Sequence, residues 1–215
     1  MDPPVHSEET VIVFTRFPEP GSVKTRLVPV LGHEGAARLQ KAMIADIISK
    51  ARTAAAAEKA RLEVFFTGGS LEKMQELFGS GLTYRPQSGN NIGQRLSNVF
   101  RSVFEAGTRR ALLAGSDCPG ITPAMIEKAL DALKKYNVVF GPALDGGYNL
   151  IGLDGYHQSM FEKVPWGGPD VLDHSIRCAR SEGLEVFLLE ELQDIDRPED
   201  LAVLGPEILE AVNSE

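Results

Sequence analysis

Apolar and polar residues follow two periods along the chain, and together they predict a repeated βα arrangement. The β-branched, apolar run Thr10–Phe14 is typical of a buried strand, and residues 33–60 carry apolar positions at helical spacing. Further strands are predicted at 62–67, 82–85, 111–114, 138–140, 149–153 and 185–189, and further helices at 71–78, from 91, after 122, at 171–181 and from 198.

This alternation predicts an α/β fold, a three-layer α/β/α sandwich with a mostly parallel, mixed sheet. The closely spaced strands after Asn137 indicate that the mixed part comes late in the sheet. We find no repeat and no linker, so we expect one domain over residues 1–215.

Composition narrows the choice of partners. The net charge of −8 disfavours nucleic acid and anionic membranes as partners. No apolar run approaches the roughly 20 residues that span a bilayer. The first ten residues are acidic and proline-rich, unlike a signal peptide, and two cysteines do not suggest a disulfide framework. We therefore expect a soluble, cytoplasmic protein.

The loop after the first strand carries three cations in this acidic chain. It reads RFPEPGSVKTRL over 16–27, and its prolines prevent the strand from continuing. Neither a Walker A motif nor a dinucleotide-binding glycine motif is present. The backbone at Gly21 and the side chains of Arg16, Lys24 and Arg26 predict a phosphate-binding loop. Lys24 and Arg26 would point the same way in an extended segment.

Two acidic segments are candidate metal sites. Asp117 follows a predicted strand in GSDCPGIT (115–122), and Asp196 lies in DIDRPED (194–200). A lone carboxylate suits Mg²⁺, which takes one or two protein carboxylates together with phosphate oxygens. Asp117 can instead cap a turn and Asp196 a helix. In an extended segment Asp194 would point the same way as Asp196, so spacing does not separate them.

Two glycine-containing segments are candidates for recognising the rest of a ligand. In QSGNNIGQRL (87–96), Gln87 suits base or ribose recognition and Arg95 a phosphate contact. In GPALDGGYNL (141–150), Asp145 either caps a hairpin turn or orients and deprotonates an acceptor. The Trp166-Gly-Gly loop is of a kind that lines sugar sites.

Four segments together resemble the motif series of one family: FTRFPEPGSVKTRL, GSDCPGIT, GPALDGGYNLIGL and DIDRPEDL. This is the GT-A-fold, glycosyltransferase-like family of rSAM/selenodomain-associated transferases, related to nucleotide-diphospho-sugar transferases. The resemblance runs from about residue 10 to residue 204. It implies a GT-A-like nucleotide-diphospho-sugar transferase domain.

The resemblance also implies roles for individual residues. Gly21, Lys24 and Arg26 would serve the nucleotide phosphates, and Asp117 and Asp196 would hold Mg²⁺ or Mn²⁺. The chain departs from the family pattern at two places. Gly168 stands where a hydroxyl-bearing residue is expected, and Asp117 has no partner in a D-x-D motif.

Three functions are compatible with these residues. The first is metal-assisted transfer of a glycosyl group from a nucleotide-diphosphate sugar to a small-molecule acceptor, with Lys24, Asp117 and Asp145 in catalytic roles. The second is guanylyltransferase-like nucleotidyl transfer, which joins a nucleoside triphosphate to a small phosphorylated substrate and releases pyrophosphate. The third is nucleotide binding without catalysis.

Overall fold

The strand–helix alternation is present in the computed structural model, which describes residues 7–213. The amino-terminal segment 1–6 and residues 214–215 lie outside the described residues. The strands are β1 (Glu9–Arg16), β2 (Arg61–Thr67), β3 (Thr83–Pro86), β4 (Arg110–Gly115), β5 (Val138–Pro142), β6 (Tyr148–Leu153) and β7 (Val186–Leu188). The helices are α1 (Val28–Glu58), α2 (Leu71–Phe78), α3 (Ile92–Glu105), α4 (Pro123–Ala132), α5 (Ser159–Glu162), α6 (Val171–Ser181) and α7 (Pro206–Asn213).

One sheet with the strand order β3-β2-β1-β4-β6-β5-β7 joins all seven strands. Neighbouring strands are parallel except at β6, which runs antiparallel to β4 and β5. From β1 the chain first adds strands on one side and then, with β4, on the other. The order therefore reverses between β1 and β4, where ligands bind in open α/β sheets. The mostly parallel, mixed sheet predicted from the sequence is confirmed.

Alternating side chains of each strand pack into two separate cores. In β1, Val11 and Val13 contribute to the core that contains residues of α1, α2 and α4, while Ile12 contributes to the core that contains residues of α3, α5 and α6. The side chains separate in this way because successive side chains of a strand point to opposite faces of the sheet. The helices therefore form two layers around the sheet, as predicted.

Most strand bounds differ from the predictions by one or two residues, and two helical regions differ in kind. Helix α1 begins at Val28, but Gly32 has a φ of 69° that separates the first turn from the continuous helix, which starts at the predicted His33. The helix predicted from Pro198 is a short 3-10 helix, Pro198–Val203, and α7 follows it. Residues of α7 and Ile195 pack with Leu39 and Met43 of α1 in a third apolar cluster.

Within residues 7–213, none of the helices combines the length and the apolar character needed to cross a lipid bilayer.

Candidate nucleotide site

A cavity of about 370 Å³ lies at the carboxyl ends of β1, β2 and β4, where the strand order reverses. Thr15 and Arg16 line it from β1, Thr67 from β2, and Ser116 and Asp117 from the loop after β4. We call this space the first cavity. Its position is the one that the sheet topology predicts for a ligand.

Lys24 connects the two sides of this crevice. Its Nζ lies 2.8 Å from Oδ1 of Asp117 and donates a hydrogen bond of 2.6 Å to the carbonyl of Ile195. The Lys24 side chain is only 4% exposed, whereas that of Asp117 is 53% exposed. Lys24 also has a φ of 46° and a ψ of 42°, a left-handed conformation that is uncommon for a residue with a side chain. Strained backbone of this kind is concentrated at functional sites.

Arg26 contacts a different carboxylate. Its guanidinium pairs with Asp196, and both side chains are about half-exposed or more. The expectation that Lys24 and Arg26 point the same way is wrong, because Lys24 is left-handed and residues 25–27 form a 3-10 helix. Gly21 has a φ of 79°, so a turn explains this glycine, and it does not line the first cavity.

The three other residues assigned to nucleotide binding, Arg16, Gln87 and Arg95, all line the first cavity. The Nε of Arg95 donates to the carbonyl of Gly89, which holds its guanidinium at the start of α3. Gln87 donates to the carbonyls of Thr15 and Phe65, while its Oε1 is buried without a partner. A buried acceptor without a donor is costly, so this atom suits a ligand N–H.

Buried hydroxyl and amide groups hold the ends of β1 and β4 together beneath the cavity. The hydroxyls of Thr15 and Ser116 lie 2.9 Å apart, and Gln40 of α1 donates to the Ser116 hydroxyl at 3.1 Å. All three residues are buried. The network therefore fixes the spacing of the two strands between which the crevice opens.

The segment after β7 brings further carboxylates to the site. Ala143 forms a parallel bridge with Leu192, and the Ile195 N–H donates to the Asp117 carbonyl at 2.8 Å. Asp194, between these contacts, is mostly buried, and its Oδ1 has no partner. Burial, assisted by the charges of Asp117 and Asp145, raises the pKa of Asp194 from 3.8 to about 6.

Cys118, beside Asp117, is buried and its thiol donates to the Gln193 carbonyl. Burial and the nearby Asp194 raise the pKa of this thiol to about 12. A thiol with such a pKa is a poor nucleophile at neutral pH, so Cys118 serves packing.

A second cavity of about 310 Å³ adjoins the first, and Phe14, Ile92 and Gly115 line both. Asp145 and Asp194 also line the second cavity. Asp145 is exposed and accepts a hydrogen bond from the Gly147 N–H at 2.9 Å, so its predicted turn-capping role is present in the structure.

Neighbouring groups fix the positions of the aromatic side chains that line the second cavity. The Nε1 of Trp166 donates to the carbonyl of Phe161 at 3.0 Å, and its ring meets the ring of Tyr148 edge to face. Gly93 of α3 leaves room for the indole, because a methyl group there would collide with Trp166. Burial raises the pKa of Tyr148, whose hydroxyl is therefore neutral.

The carboxylates fit a hard cation only together with ligand oxygens. Within residues 7–213, no three of the histidine, cysteine, aspartate and glutamate side chains are grouped so that they could hold a metal ion. The carboxylates of Asp117 and Asp196, both about half-exposed, line the same cavity. One or two carboxylates completed by phosphate oxygens and water is the usual environment of Mg²⁺.

Sequence reasoning left Asp194 and Asp196 as equivalent, and the structure distinguishes them. Asp194 is mostly buried and lines the second cavity, whereas Asp196 lines the first, is half-exposed and pairs with Arg26. The apolar context of Asp194, between Leu192 and Ile195, was the available signal. The buried roles of Gln40 and Ser116 had no signal, because their pairing joins residues distant in sequence.

Comparison with solved structures identifies the fold. A protein from Desulfovibrio desulfuricans G20, provisionally described as a nucleotide-diphospho-sugar transferase, is 34% identical, with a TM-score of 0.85 over 92% of this chain and 86% of that chain. CMP:2-keto-3-deoxy-manno-octonic acid synthetase complexed with CTP is 12% identical, with a TM-score of 0.55 over 90% and 95% of the chains. Rv0371c of Mycobacterium tuberculosis H37Rv, in complex with manganese, is 15% identical, with a TM-score of 0.52 over 90% and 96%.

Fold and site together define a transferase domain of the nucleotide-diphospho-sugar transferase type. Residues 50–168 match the family described as "uncharacterized protein conserved in bacteria" (DUF2064), and the chain belongs to this family. No curated protein matches the chain significantly.

Replacing Gly93 with alanine tests the support of Trp166. The added methyl group would displace the indole, so we expect Gly93→Ala to lower the free energy of unfolding by about 1–3 kcal/mol. Trp166 is the only tryptophan, so intrinsic fluorescence reports its displacement directly. Gly168→Ala is the matched control, because a methyl group there meets nothing within 4 Å. An unchanged emission spectrum in Gly93→Ala would contradict the assigned packing.

The raised pKa of Asp194 predicts a pH dependence of stability. A carboxyl whose folded-state pKa is raised stabilises the fold fully below its unfolded pKa near 4, and this stabilisation is lost as pH rises through about 6. In buffer with EDTA, we expect Asp194→Asn to reduce the loss of stability between pH 5 and pH 8 by about 1 kcal/mol. Urea unfolding at both pH values measures this. The exposed Asp131→Asn is the control, and an equal loss in wild type and Asp194→Asn would refute the prediction.

Proposed function

We propose that this chain binds a nucleotide-diphosphate sugar and transfers its glycosyl group to a small-molecule acceptor. The observation that carries the proposal is a pair of adjoining cavities beside Asp117, one lined by cations and one without them. This arrangement suits a ligand with a charged half and an uncharged half.

The first cavity would hold the nucleotide. Arg16, Lys24 and Arg95 would share the negative charge of the diphosphate, since fixed cations in a cavity stabilise charge that develops on a leaving phosphate. The unpartnered Oε1 of Gln87 would accept a hydrogen bond from an N–H of the base. The 34% identity to the Desulfovibrio protein supports this class of ligand.

Asp117 and Asp196 are the proposed carboxylates for Mg²⁺ or Mn²⁺. Held there, such an ion would supply Lewis-acid stabilisation of the negative charge on the leaving group. The manganese complex of Rv0371c, which has the same fold, supports this proposal. Both carboxylates are paired with cations in the structure, Asp117 with Lys24 and Asp196 with Arg26. Binding of the nucleotide and the metal would therefore break both ion pairs. The carboxylates would then bind the metal, and the cations would bind the phosphates.

In the transfer step, the bond between the sugar C1 and the diphosphate oxygen breaks, and its electron pair leaves with the nucleoside diphosphate. The acceptor hydroxyl oxygen bonds to C1 and loses its proton to a carboxylate. Asp145 was proposed for this role from the sequence, and Asp194 also lines the second cavity. The pKa of Asp194, raised to about 6, suits a general base at neutral pH.

Nucleotidyl transfer is the second candidate. The three cations in the first cavity suit the larger charge of a triphosphate at least as well as that of a diphosphate. In that reaction the phosphate of a second substrate attacks the α-phosphorus and pyrophosphate leaves. The CTP complex of the synthetase with the same fold makes this candidate worth testing.

A thermal-shift panel separates the candidates. Nucleotide sugars and nucleoside triphosphates are each added with Mg²⁺ or Mn²⁺, and pyrophosphate release is measured in parallel. We expect stabilisation by a nucleotide sugar, because it occupies both cavities. Stabilisation by triphosphates alone, with pyrophosphate release, would favour nucleotidyl transfer. If no nucleotide shifts the melting temperature, the result would favour a protein that catalyses neither transfer.

Asp117→Asn tests the exchange of partners. In the wild type, we expect the metal to raise nucleotide affinity by about tenfold or more, equivalent to about 1.4 kcal/mol. In Asp117→Asn the metal effect should fall below about twofold, while metal-free affinity should not decrease, because Lys24 loses its competing carboxylate.

Calorimetric titrations with and without EDTA measure both quantities. Asp131→Asn, an exposed carboxylate paired with Lys134, is the control. An unchanged metal response in Asp117→Asn would remove this residue from the site.

A further inference from the structure

The two cavities differ sharply in charge. Among the described residues that line the second cavity there is no lysine, arginine or histidine, and Asp145 and Asp194 both contribute carboxylates. The first cavity, by contrast, is lined by Arg16, Lys24 and Arg95. An anionic group in the second cavity would therefore meet negative charge without a compensating cation.

A single ligand can extend through both cavities. Phe14, Ile92 and Gly115 line each of them, so no intervening element separates the two spaces. A diphosphate held by the cations of the first cavity would direct its attached group across Gly115 into the second.

Most of the other residues that line the second cavity are apolar, and the polar ones, Tyr148 and Asn149, carry no charge. Leu96, Leu113, Leu150 and Val171 line it, and Trp166 contributes a ring whose N–H is already bonded to the Phe161 carbonyl. The carboxylates can therefore accept hydrogen bonds from a ligand, while the apolar walls contact the carbon face of a ring. Hydroxyl groups satisfy the carboxylates, and a carboxylate on the ligand cannot.

We propose that the second cavity binds an uncharged, hydroxyl-bearing ring attached to the nucleotide diphosphate and rejects the same ring when it carries a carboxylate or a further phosphate. This proposal rests on the proposed function and adds the charge class of the transferred group. Like charges placed together across a binding surface suppress the wrong partner.

The test compares two nucleotide sugars that differ in one group. UDP, CDP, GDP and ADP are first titrated alone, with emission from Trp166 and thermal shift as readouts. UDP-glucose and UDP-glucuronate, which differ only in a hydroxymethyl group and a carboxylate, are then compared. If UDP is not the diphosphate that binds, glucose and glucuronate are compared at millimolar concentration with the bound diphosphate.

We expect the neutral sugar to bind about tenfold or more tightly than its acid. Asp194→Asn should narrow this difference. If a diphosphate binds but both sugars bind equally, or the acid binds more tightly, the charge assignment is overturned. The proposed function is not affected by that outcome. Failure of every diphosphate to bind would overturn the proposed function and this inference together.

Gly168 offers a variant that reverses the preference. It lines the second cavity, its φ is outside the left-handed region, and a Cβ atom added there meets nothing within 4 Å. We expect Gly168→Lys to raise affinity for the acid by about fivefold or more, by supplying the missing cation. Gly168→Gln, with similar length and no charge, is the matched control and should retain the preference for the neutral sugar. Equal effects of both substitutions would count against recognition by charge.

Discussion

The ion pair between Lys24 and Asp117 joins the two halves of the sheet at the position where the strand order reverses. Lys24 follows β1 and Asp117 follows β4, so each side chain belongs to one wall of the crevice. The lysine is almost fully buried, and removing either partner would leave an uncompensated charge in a confined space. The left-handed backbone at Lys24 persists because this pair and the bond to Ile195 hold it.

The cations proposed to bind phosphate are thus paired with the carboxylates proposed to bind the metal. Arg26 and Asp196 repeat the arrangement at the surface, where solvent weakens the attraction. Asp194 differs, because it is mostly buried and forms no ion pair with any described residue. Its raised pKa reflects the free-energy cost of a buried negative charge. Such imbalance between neighbouring carboxylates is typical of functional sites, where two similar groups serve two roles.

Hydrophobic period and turn chemistry were sufficient to predict much of the fold. Helices α2 and α6 have the predicted bounds, and α4 begins after Thr122, as predicted. These features depend on residues close together in sequence. The directions of Lys24 and Arg26 could not be predicted, because one left-handed residue and a 3-10 turn replace the assumed extended segment.

Several features of the candidate site depend on contacts across the fold. The position of Asp117 at this cavity was predictable from a strand end, and that of Asp196 was implied by the family resemblance. The burial of Asp194 and the bracing of the crevice by Gln40 were not, because distant segments create both. The charge of the second cavity likewise emerges only when the segment at Asp194 meets the turn at Asp145.

The reversed direction of β6 has a consequence for how this protein can diversify. Because β6 is antiparallel, its first residue, Tyr148, lies at the same edge as the carboxyl ends of the parallel strands. The second cavity is consequently bordered by a short hairpin turn and the loop at 166–168, while the loop after β1 and Asp117 belong to other connections. Under the proposed function, mutations in these two short segments would alter which group is recognised and leave the residues assigned to the phosphates unchanged.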